Sequence, residues 1–225
     1  MTGAQRWLAA AWPLVRPWLP AAPARVVEIG CGPLGGFVPQ LVAAGYDAIG
    51  VDPEAPDGDR YDRVAFERAG PYERVSAIVA STSLHHVAEP EDVVDRIART
   101  LLPTGRLIVL EWAWERFDEA TAAWCFRRLA AGGEEGWLHG HRDRWRESGL
   151  PWPVFLEEWA QSVGLHRAET LLRLIDARFD REHLSYGPCF FPDLDRTTAE
   201  DEAAAIEAGE IQATRVEYVG SLPRT

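Results

Sequence analysis

The sequence contains no lysine and no asparagine, and arginine supplies all 23 of its basic side chains. Aspartate and glutamate together number 35, so the formal net charge at pH 7 is −12. Proteins hold nucleic acids with clusters of cations that displace counterions from the phosphates, and no segment of this chain collects such a cluster. The composition therefore argues against tRNA, rRNA or DNA as a partner.

Cysteine is also scarce, and the three present, Cys31, Cys125 and Cys189, are widely spaced. An odd number of isolated cysteines predicts no disulfide framework and is typical of a reducing cytoplasm. His139 and His141 have the spacing of an H-x-H ligand pair, but their segment is rich in arginine and lacks a suitable third ligand. We therefore predict no metal site.

Long apolar runs are missing as well. No run approaches the ~20 residues that a helix needs to cross a bilayer, and the first residues lack the basic start and apolar core of a signal peptide. We expect a cytoplasmic protein that does not insert into a membrane. A chain of 225 residues, 47% of them hydrophobic, can bury a full core. We predict a single domain over residues 1–225 that opens with a helical segment over residues 1–23.

The most informative stretch is RVVEIGCGPLGG, at residues 25–36. Its first five residues predict a buried strand, and Gly30, Gly32 and Gly35 then form a G-x-G-x-x-G turn before an apolar helical pattern. Strand, glycine turn and helix in this order predict a nucleotide-binding loop, in which backbone N–H groups face the ligand. Asp52 ends the next predicted strand, at the distance from the loop where an acid accepts ribose hydroxyls.

Two cofactors use this arrangement, and the glycines alone do not distinguish them. A nicotinamide dinucleotide carries a pyrophosphate, which favours a loop without nearby carboxylates. S-adenosylmethionine carries a sulfonium and an ammonium and no phosphate, so a nearby acid favours it. Glu28 is such an acid, two residues before Gly30, and it favours S-adenosylmethionine over NAD.

Three segments extend the pattern in order: VVEIGCGPLGG, then GVDPEAP, then AIVASTSLHHVAEPEDVVDRIARTLLPTGRLIVLEW. They resemble motifs one, two and four and the following region of class I S-adenosylmethionine-dependent methyltransferases, and the likeness covers residues 24–114. The resemblance implies an α/β, Rossmann-like sheet of seven strands, mostly parallel with an antiparallel last strand, and helices on both faces. The implied cofactor is S-adenosylmethionine, with S-adenosylhomocysteine as its product.

The resemblance also implies a set of cofactor-binding residues. They lie in the glycine loop, at the ends of the second and fourth strands, and after the third strand: Glu28, Gly30, Cys31, Gly32, Gly35, Asp52, Pro53, Glu67, Ala80 and Ser81. Cys31 contributes backbone groups only. Glu67 occupies the place of an acid that contacts adenine, although the surrounding FERAG departs from the usual pattern of the family.

Hydrophobic periodicity predicts the order of the elements. The predicted strands are 25–29, 46–51, 61–66, 75–80, 106–112, 166–179 and 211–219, and the predicted helices after the first strand are 36–44, 90–102, 117–131, 154–165 and 198–208. Residues 132–153 are predicted to be irregular and residues 180–196 to form a loop. The connections around the third strand are too short for crossover helices, and a homodimer is one arrangement that would cover the sheet face they expose.

LHH follows the fourth strand, and Glu111 lies near the end of the fifth, 26 residues after His85. In some small-molecule O-methyltransferases of this class, the first histidine of LHH pairs with an acid at the end of strand five. The resemblance thus implies a general-base dyad of His85 and Glu111, in which the carboxylate fixes the imidazole tautomer and raises its basicity. His86 is the alternative base. A reaction without a protein base also stays open, because N- or C-methylation, or an acidic phenol, needs only positioning.

Ten tryptophans are present, and seven of them lie between residues 112 and 159, from the end of the fifth strand onward. Trp124 and Trp159 fall at helical spacing with other apolar residues, which predicts core packing. We interpret segment 132–153, where tryptophans alternate with charges, as an aromatic-rich cap or lid over the substrate side. The predicted substrate-binding residues are Trp112, Trp114, Trp137 and Trp145.

These features predict an S-adenosylmethionine-dependent methyltransferase acting on a small organic acceptor, with an oxygen atom of a specialised natural product as the methylated position. One alternative is a cyclase or isomerase that uses the cofactor's positive charge without transferring the methyl group. Another is a non-catalytic protein that binds the cofactor and partners an enzyme. The motifs between residues 76 and 112 argue against an NAD enzyme.

Overall fold

The computed structural model describes residues 2–130 and 136–223. Its strands are β1 (Arg25–Ile29), β2 (Asp47–Val51), β3 (Tyr61–Asp62), β4 (Val75–Ser81), β5 (Leu101–Trp112), β6 (Asp180–Gly187) and β7 (Arg215–Ser221). They form one sheet in the order β3-β2-β1-β4-β5-β7-β6. Pairing is parallel from β3 to β5, whereas β7 runs antiparallel to both of its neighbours.

The predicted architecture, a mostly parallel sheet whose last strand is antiparallel, is confirmed. After β1 the chain builds the sheet outward through β2 and β3, and then returns to add β4 on the other side of β1. The direction in which strands are added therefore reverses between β1 and β4. In open α/β sheets, ligands bind beyond the carboxyl ends of the strands at such a reversal.

Helices cover both faces of the sheet. They are α1 (Gly3–Val15), α2 (Val38–Ala43), α3 (Pro90–Thr100), α4 (Glu119–Phe126), α5 (Trp137–Ser148), α6 (Trp152–Ser162), α7 (Ala168–Asp176) and α8 (Ala199–Glu207). The helices α1 and α2 pack on the face that contains Val26, and α3 and α7 pack on the face that contains Val27. Consecutive residues of a strand point to opposite faces, so these two valines enter different cores. No helix in the part of the chain that the structure describes is long and apolar enough to cross a membrane.

A third core lies beyond the carboxyl end of β5 and is built largely of aromatic rings. Trp112, the last residue of β5, and Trp114 just after it lie in this core together with residues of α4, α5, α6 and α8. Trp152 and Phe117 are buried at its centre, with ring centroids 5.0 Å apart in a T-shaped arrangement. Much of the predicted concentration of tryptophan after strand five therefore forms a separate core against the carboxyl edge of the sheet.

Residues 166–187 differ from the prediction of a strand followed by a loop. Residues Ala168–Asp176 form α7, and the buried residues recur every three or four positions, the period of one helix face: Ala168, Leu171, Leu172 and Ile175. The sixth strand is β6 instead, within the predicted loop. Among the described residues β6 is an edge strand that pairs with β7 alone, and most of its side chains are at least partly exposed. The apolar alternation that signals a strand is therefore missing.

The prediction of an irregular segment over residues 132–153 is wrong for its described part. Helix α5 fills most of it, and α6 begins at Trp152. Residues 132–135 of the predicted lid lie outside the described residues. In α5 the buried residues are Leu138, His139 and His141. Because histidines supply much of its buried face, the aliphatic periodicity of a helix is weak.

The connections around β3 carry no α-helix, as the sequence predicts, and β3 itself is only two residues long rather than six. Phe66 and Tyr72, from the connection that follows, stack with ring centroids 6.5 Å apart. Both pack against the core on the side of α3. Loop side chains therefore cover part of the sheet face that lacks a helix, and this cover does not depend on a second subunit.

Candidate active site

A cavity of about 1230 Å³ lies at the carboxyl ends of β1, β2 and β4. Four loops contribute to its lining: Gly30 and Gly32 after β1, Asp52 and Pro53 after β2, Glu67 after β3, and Ser83 and His86 after β4. All of these except Ser83 and His86 are predicted cofactor residues. The cavity therefore lies where the order of the strands reverses and joins sequence motifs that are far apart in the chain.

The glycine loop brings its backbone to the wall of this cavity. Gly30 and Gly32 have φ angles of +86° and +59°, which glycine adopts without strain. The N–H of Gly30 donates to the carbonyl of Val51 at 2.9 Å, and a Cβ at Gly30 would overlap Ser83. At Gly32 no atom lies within 4 Å of the place of a Cβ. Gly32 is therefore where a ligand can approach the backbone most closely.

Glu28 lies beneath the loop and not in the lining of the cavity. Its side chain is 0% exposed, and its Oε2 accepts a hydrogen bond from the N–H of Phe37 at 2.7 Å. Burial raises the pKa of Glu28 to about 8, against the lowering effect of the N–H groups of Phe37 and Val38. The carboxyl is therefore mostly protonated at neutral pH. Contrary to the sequence interpretation, Glu28 supports the start of α2 rather than offering a charge to the ligand.

Asp52, unlike Glu28, reaches the cavity. It follows β2 directly, is half-buried and belongs to the lining. Its Oδ1 accepts a hydrogen bond from the N–H of Glu54 at 2.7 Å, which orients the carboxylate. A partly exposed carboxylate beside a glycine loop can accept hydrogen bonds from a diol.

The remaining predicted cofactor residues lie behind the wall of the cavity. Burial, together with Glu28, raises the pKa of the Cys31 thiol to about 12, so this side chain stays neutral. Gly35, with φ of +80°, packs against the hydroxyl of Tyr61. Ala80 and Ser81 are the last two residues of β4 and are buried. These residues shape the loop and the strand end and are not part of the cavity lining.

His85 and Glu111 are in contact at the same edge of the sheet. The register of the two parallel strands pairs Ser81 of β4 with Leu110 of β5, so Glu111 and the turn after β4 end side by side. Nδ1 of His85 and Oε1 of Glu111 form a buried pair. The other carboxylate oxygen of Glu111 accepts the N–H of Leu84 at 2.9 Å. Because Nδ1 is engaged by the carboxylate, Nε2 is the nitrogen of His85 that can act on a ligand.

The electrostatics of the pair follow from its burial. Burial lowers the pKa of His85, but Glu111 more than offsets this effect, so the pKa lies above the ordinary 6.5. Burial raises the pKa of Glu111, but His85 and the N–H groups of Trp112 and Leu84 bring it below 4.5. Burial and then the neighbouring His85 lower the pKa of His86. His86 is therefore a neutral side chain on the cavity wall, with its ring centroid 4.1 Å from that of His85.

Next to this pair, four rings contact one another in a closed circuit that we call the aromatic box: Trp112, Trp137, His141 and Trp159. The centroid distances around the circuit are 5.5, 5.7, 4.2 and 6.2 Å. Three of them lie within the roughly 4.5–7 Å of packed aromatic pairs, and the distance between His141 and Trp159 is slightly shorter. Trp112 also lies 6.2 Å from His85, edge to face. The aromatic box therefore adjoins the buried histidine–carboxylate pair.

Trp137 is the exposed wall of the aromatic box. It is the first residue of α5, its side chain is 42% exposed, and its Nε1 donates to Oδ2 of Asp193 at 2.9 Å. Trp112 is 8% exposed and His141 is 1% exposed. The box therefore faces solvent through Trp137.

Trp114 and Trp145, the other two predicted substrate residues, have packing contacts instead. Nε1 of Trp114 donates to the carbonyl of His166 at 3.1 Å. Trp145 lies 5.3 Å from Trp152 and donates from Nε1 to the carbonyl of Leu150 at 2.9 Å. Neither ring is part of the aromatic box.

Two members of the aromatic box were not among the predicted site residues. The sequence assigns His141 to the predicted lid segment 132–153 and Trp159 to core packing. Leu138, His141 and Trp145 recur three and four positions apart, which is the spacing of one helix face, and this spacing is the sequence signal for α5. It is obscured because the apolar positions of this helix are occupied by histidine and tryptophan rather than by aliphatic residues.

Glu202 is a further residue that sequence reasoning missed. It is 0% exposed on α8, and its carboxylate accepts N–H groups from Cys189, Phe190 and Phe191 at 2.7 to 3.1 Å. This clamp orders the turn that places Phe190 6.3 Å from Trp112. No local pattern indicates it, because an acid on a helix is ordinarily a solvated side chain.

The side chains of His139 and His141 form hydrogen bonds with different partners and do not converge on a common site. Nε2 of His139 donates to the carbonyl of Ala130 at 3.1 Å. Nδ1 of His141 accepts from the guanidinium of Arg144 at 3.2 Å. Across the described ranges, no group of three or more His, Cys, Asp or Glu side chains could hold a metal ion.

A protein-family model matches most of the chain. The model of a family described as "Methyltransferase domain" matches residues 4–186 of the chain. No curated protein matches the chain.

Solved structures share the fold at low sequence identity. An S-adenosylmethionine dependent methyltransferase from Mesorhizobium loti is 20% identical with a TM-score of 0.56, covering 94% of this chain and 97% of its own. Geranyl diphosphate C-methyltransferase from Streptomyces coelicolor A3(2) is 15% identical with a TM-score of 0.60, covering 97% and 80%. An N-methyltransferase from Bradyrhizobium japonicum WM9 is 13% identical with a TM-score of 0.54, covering 96% and 87%. At these identities the similarity shows a common fold.

Proposed function

Because the chain belongs to the methyltransferase-domain family whose model spans residues 4–186, we propose that it transfers the methyl group of S-adenosylmethionine to an oxygen atom of a small organic acceptor. The observation that carries the proposal is the buried pair of His85 and Glu111, which lies behind His86 of the cavity lining and beside Trp112 of the aromatic box. Solved structures of this fold include a carbon and a nitrogen methyltransferase. The histidine–carboxylate pair favours oxygen, because a hydroxyl must lose a proton when it is methylated.

The residues of the cavity fit the methyl donor. Gly32 leaves open space against its backbone, and the carboxylate of Asp52 can accept the two ribose hydroxyls of an adenosine. Pro53 and Glu67 complete the side of the cavity where the rest of the nucleoside would lie. When bound, S-adenosylmethionine supplies a methyl group made electrophilic by its sulfonium.

The chain's own chemistry is proton transfer and positioning. Glu111 holds the proton of His85 on Nδ1, so the lone pair of Nε2 is available for the proton of an acceptor hydroxyl. Because Glu111 raises the pKa of His85, the imidazole is a stronger base than a free histidine. His86, whose pKa is lowered, serves as a neutral wall rather than as the base. Trp112 and Trp137 exclude water and hold the acceptor against His85.

The cofactor assignment is tested by thermal unfolding with excess S-adenosylhomocysteine, S-adenosylmethionine or NADH. A ligand at a hundred times its Kd adds about 2.7 kcal/mol, which for a domain of this size raises Tm by roughly 5–10 °C. We expect this shift with the first two ligands and its loss in Asp52→Ala. A shift with NADH alone would contradict the proposal, and no shift with any of the three would favour a binding protein that has lost the site.

The reaction is tested by following S-adenosylhomocysteine and methylated product together over a panel of phenols, enols and carboxylic acids. We expect His85→Gln to lower the rate about a hundredfold or more, in line with the loss of a general base, and His86→Gln to lower it by less than about tenfold. The rate of the wild type should rise with pH through the raised pKa of His85, since only the neutral imidazole accepts a proton. Turnover of an acceptor that leaves S-adenosylmethionine intact would instead indicate the cyclase or isomerase.

A further inference from the structure

The aromatic box contains polar hydrogens that the protein itself does not use. Nε2 of His141 and Nε1 of Trp112 are both buried, and neither has a hydrogen-bond partner in residues 2–130 or 136–223. A buried polar group without a partner is costly, so such groups tend to mark sites where a ligand supplies the partner. Both groups belong to rings of the same circuit.

The tautomer of His141 is determined by its neighbour. Arg144 can only donate, so Nδ1 of His141, 3.2 Å from its guanidinium, must be the accepting nitrogen. The proton of the neutral imidazole is therefore on Nε2. Burial, and then the charge of Arg144, lower the pKa of His141 to about 4. His141 is thus a neutral, permanent N–H donor at physiological pH.

The surroundings of this donor are aromatic. The ring of His141 lies 4.2 Å from that of Trp159, 5.5 Å from Phe155, 5.7 Å from Trp137 and 6.1 Å from Trp152. The indole N–H of Trp112 can only donate, and it too has no acceptor among the described residues. The box therefore combines flat apolar walls with two neutral donors, which matches a flat molecule that carries an uncharged oxygen acceptor.

Resting on the proposed function, we propose that the methyl acceptor is a planar aromatic molecule with a carbonyl oxygen, and that His141 selects it by donating its Nε2–H to that oxygen. Trp112 supplies the second donor, beside His85. Trp137, the exposed ring, shifts to admit the incoming molecule and stays against it; among the described residues its indole donates one hydrogen bond, to Asp193. The chemical reason for the selection is that an analogue without the carbonyl leaves both donors unpaired.

The test uses two probes of the same bicyclic outline with one phenolic hydroxyl each: umbelliferone, which has a lactone carbonyl, and β-naphthol, which has none. Their affinities for the protein saturated with S-adenosylhomocysteine are measured by titration calorimetry. We expect the wild type to bind umbelliferone at least about tenfold more tightly than β-naphthol, since one satisfied donor is worth about that ratio.

His141→Phe keeps a ring of similar shape and removes the donor, and it should reduce the preference for umbelliferone about five- to tenfold. Arg144 is exposed, so Arg144→Met leaves the core intact. It removes the donor to Nδ1 of His141, so the proton of the imidazole can move from Nε2 to Nδ1, and the preference should fall about two- to threefold. His139→Phe is the matched control on the same helix, and it should leave the ratio within about twofold because His139 bonds to Ala130 outside the box.

Three results would overturn the inference. They are an equal affinity of the wild type for both probes, no binding of either probe, and a preference that survives in His141→Phe. If His141 only packs against Trp159, the phenylalanine variant would gain stability and keep the same ratio of affinities. Failure of S-adenosylhomocysteine to bind would be a failure of the proposed function instead, and it is measured separately before either probe is added.

Discussion

The substitution Glu111→Gln tests the buried pair most directly, because it keeps the shape of the side chain and removes its charge. Oε1 of Glu111 contacts Nδ1 of His85 and accepts the N–H of Trp112 at 3.0 Å, and Oε2 accepts the N–H of Leu84 at 2.9 Å. Whichever way the glutamine amide is turned, its NH₂ group faces an N–H donor. The variant therefore loses an ion pair and leaves at least one buried N–H without an acceptor.

These losses determine the size of the effect. Removing one partner of a buried ion pair costs about 3–5 kcal/mol, and we expect the lower end because His85 can release its proton. Of this cost, about 1–2 kcal/mol comes from the buried backbone N–H that faces the amide NH₂ of the glutamine, and this contribution does not depend on charge. We therefore expect the free energy of unfolding to fall by about 3 kcal/mol in mildly acidic solution.

The pH dependence follows from the directions of the two pKa shifts. The pKa of His85 is raised above 6.5, so its contribution to stability is complete below 6.5 and is lost as the pH rises through the raised value. The pKa of Glu111 is lowered below 4.5, so its contribution is present above 4.5 and is lost as the pH falls through the lowered value. The penalty of Glu111→Gln is therefore largest between 4.5 and 6.5 and falls by about 1–2 kcal/mol in alkaline solution.

The assay is urea unfolding of the wild type and the variant near pH 5.5 and near pH 8.5, at one ionic strength, with a histidine NMR titration in parallel. Glu182→Gln is the matched control, since Glu182 forms a partly exposed ion pair with Arg106 at 2.9 Å. It should cost less than about 1 kcal/mol at both values. Equal penalties for Glu111→Gln at the two values, or an unchanged titration of His85, would refute the reasoning.

Three further predictions concern the loop and the aromatic core. Because burial raises the pKa of Glu28 to about 8, wild-type stability should fall as the pH rises from 4.5 towards 8. In urea unfolding series Glu28→Gln should remove the part of this slope between pH 4.5 and 6.5, where His85 contributes none, and an unchanged slope there would show that another group causes it. Gly36→Ala should lower Tm more than Gly32→Ala, because a Cβ at Gly36 would overlap Glu28, whereas Gly32 shares the positive φ but has open space around it. Gly32→Ala should weaken the binding of S-adenosylhomocysteine more than Gly36→Ala does. The reverse order in either measurement would contradict the loop geometry. Glu202→Gln should reduce the free energy of unfolding by about 1–3 kcal/mol, because the amide NH₂ of the glutamine would face backbone N–H donors. It should change the Kd of S-adenosylhomocysteine by less than about twofold. Unchanged stability would mean that the turn around Phe190 does not depend on these hydrogen bonds.

Several elements of the fold were predictable because their signals are local. The strand, glycine turn and helix around Gly30 form one continuous stretch, and each residue type there answers a local backbone demand. The missing helices around β3 were predictable from the length of the connections alone. The family predicted from these motifs is confirmed by the match over residues 4–186.

The errors fall where the usual local signals mislead. The run LLRLI in α7 is apolar enough to resemble a buried strand, and only the spacing of all its buried residues reveals a helix face. Strand β6 has the opposite difficulty, because an edge strand with exposed side chains carries little apolar alternation. In α5, histidine and tryptophan occupy positions where aliphatic residues would make the helical period visible.

The motifs along the chain were sufficient to place Asp52, His85 and Glu111 at one edge, because parallel strands bring their carboxyl ends together whatever packs around them. The burial of Glu28 under the loop, and with it the raised pKa, depends on how neighbouring elements pack against the strand and could not be read from the chain. The approach of Trp137 and His141 of α5 to Trp112 likewise follows from the packing of the helices. Contacts between residues that far apart depend on how whole helices pack, and no local pattern in the chain encodes that packing.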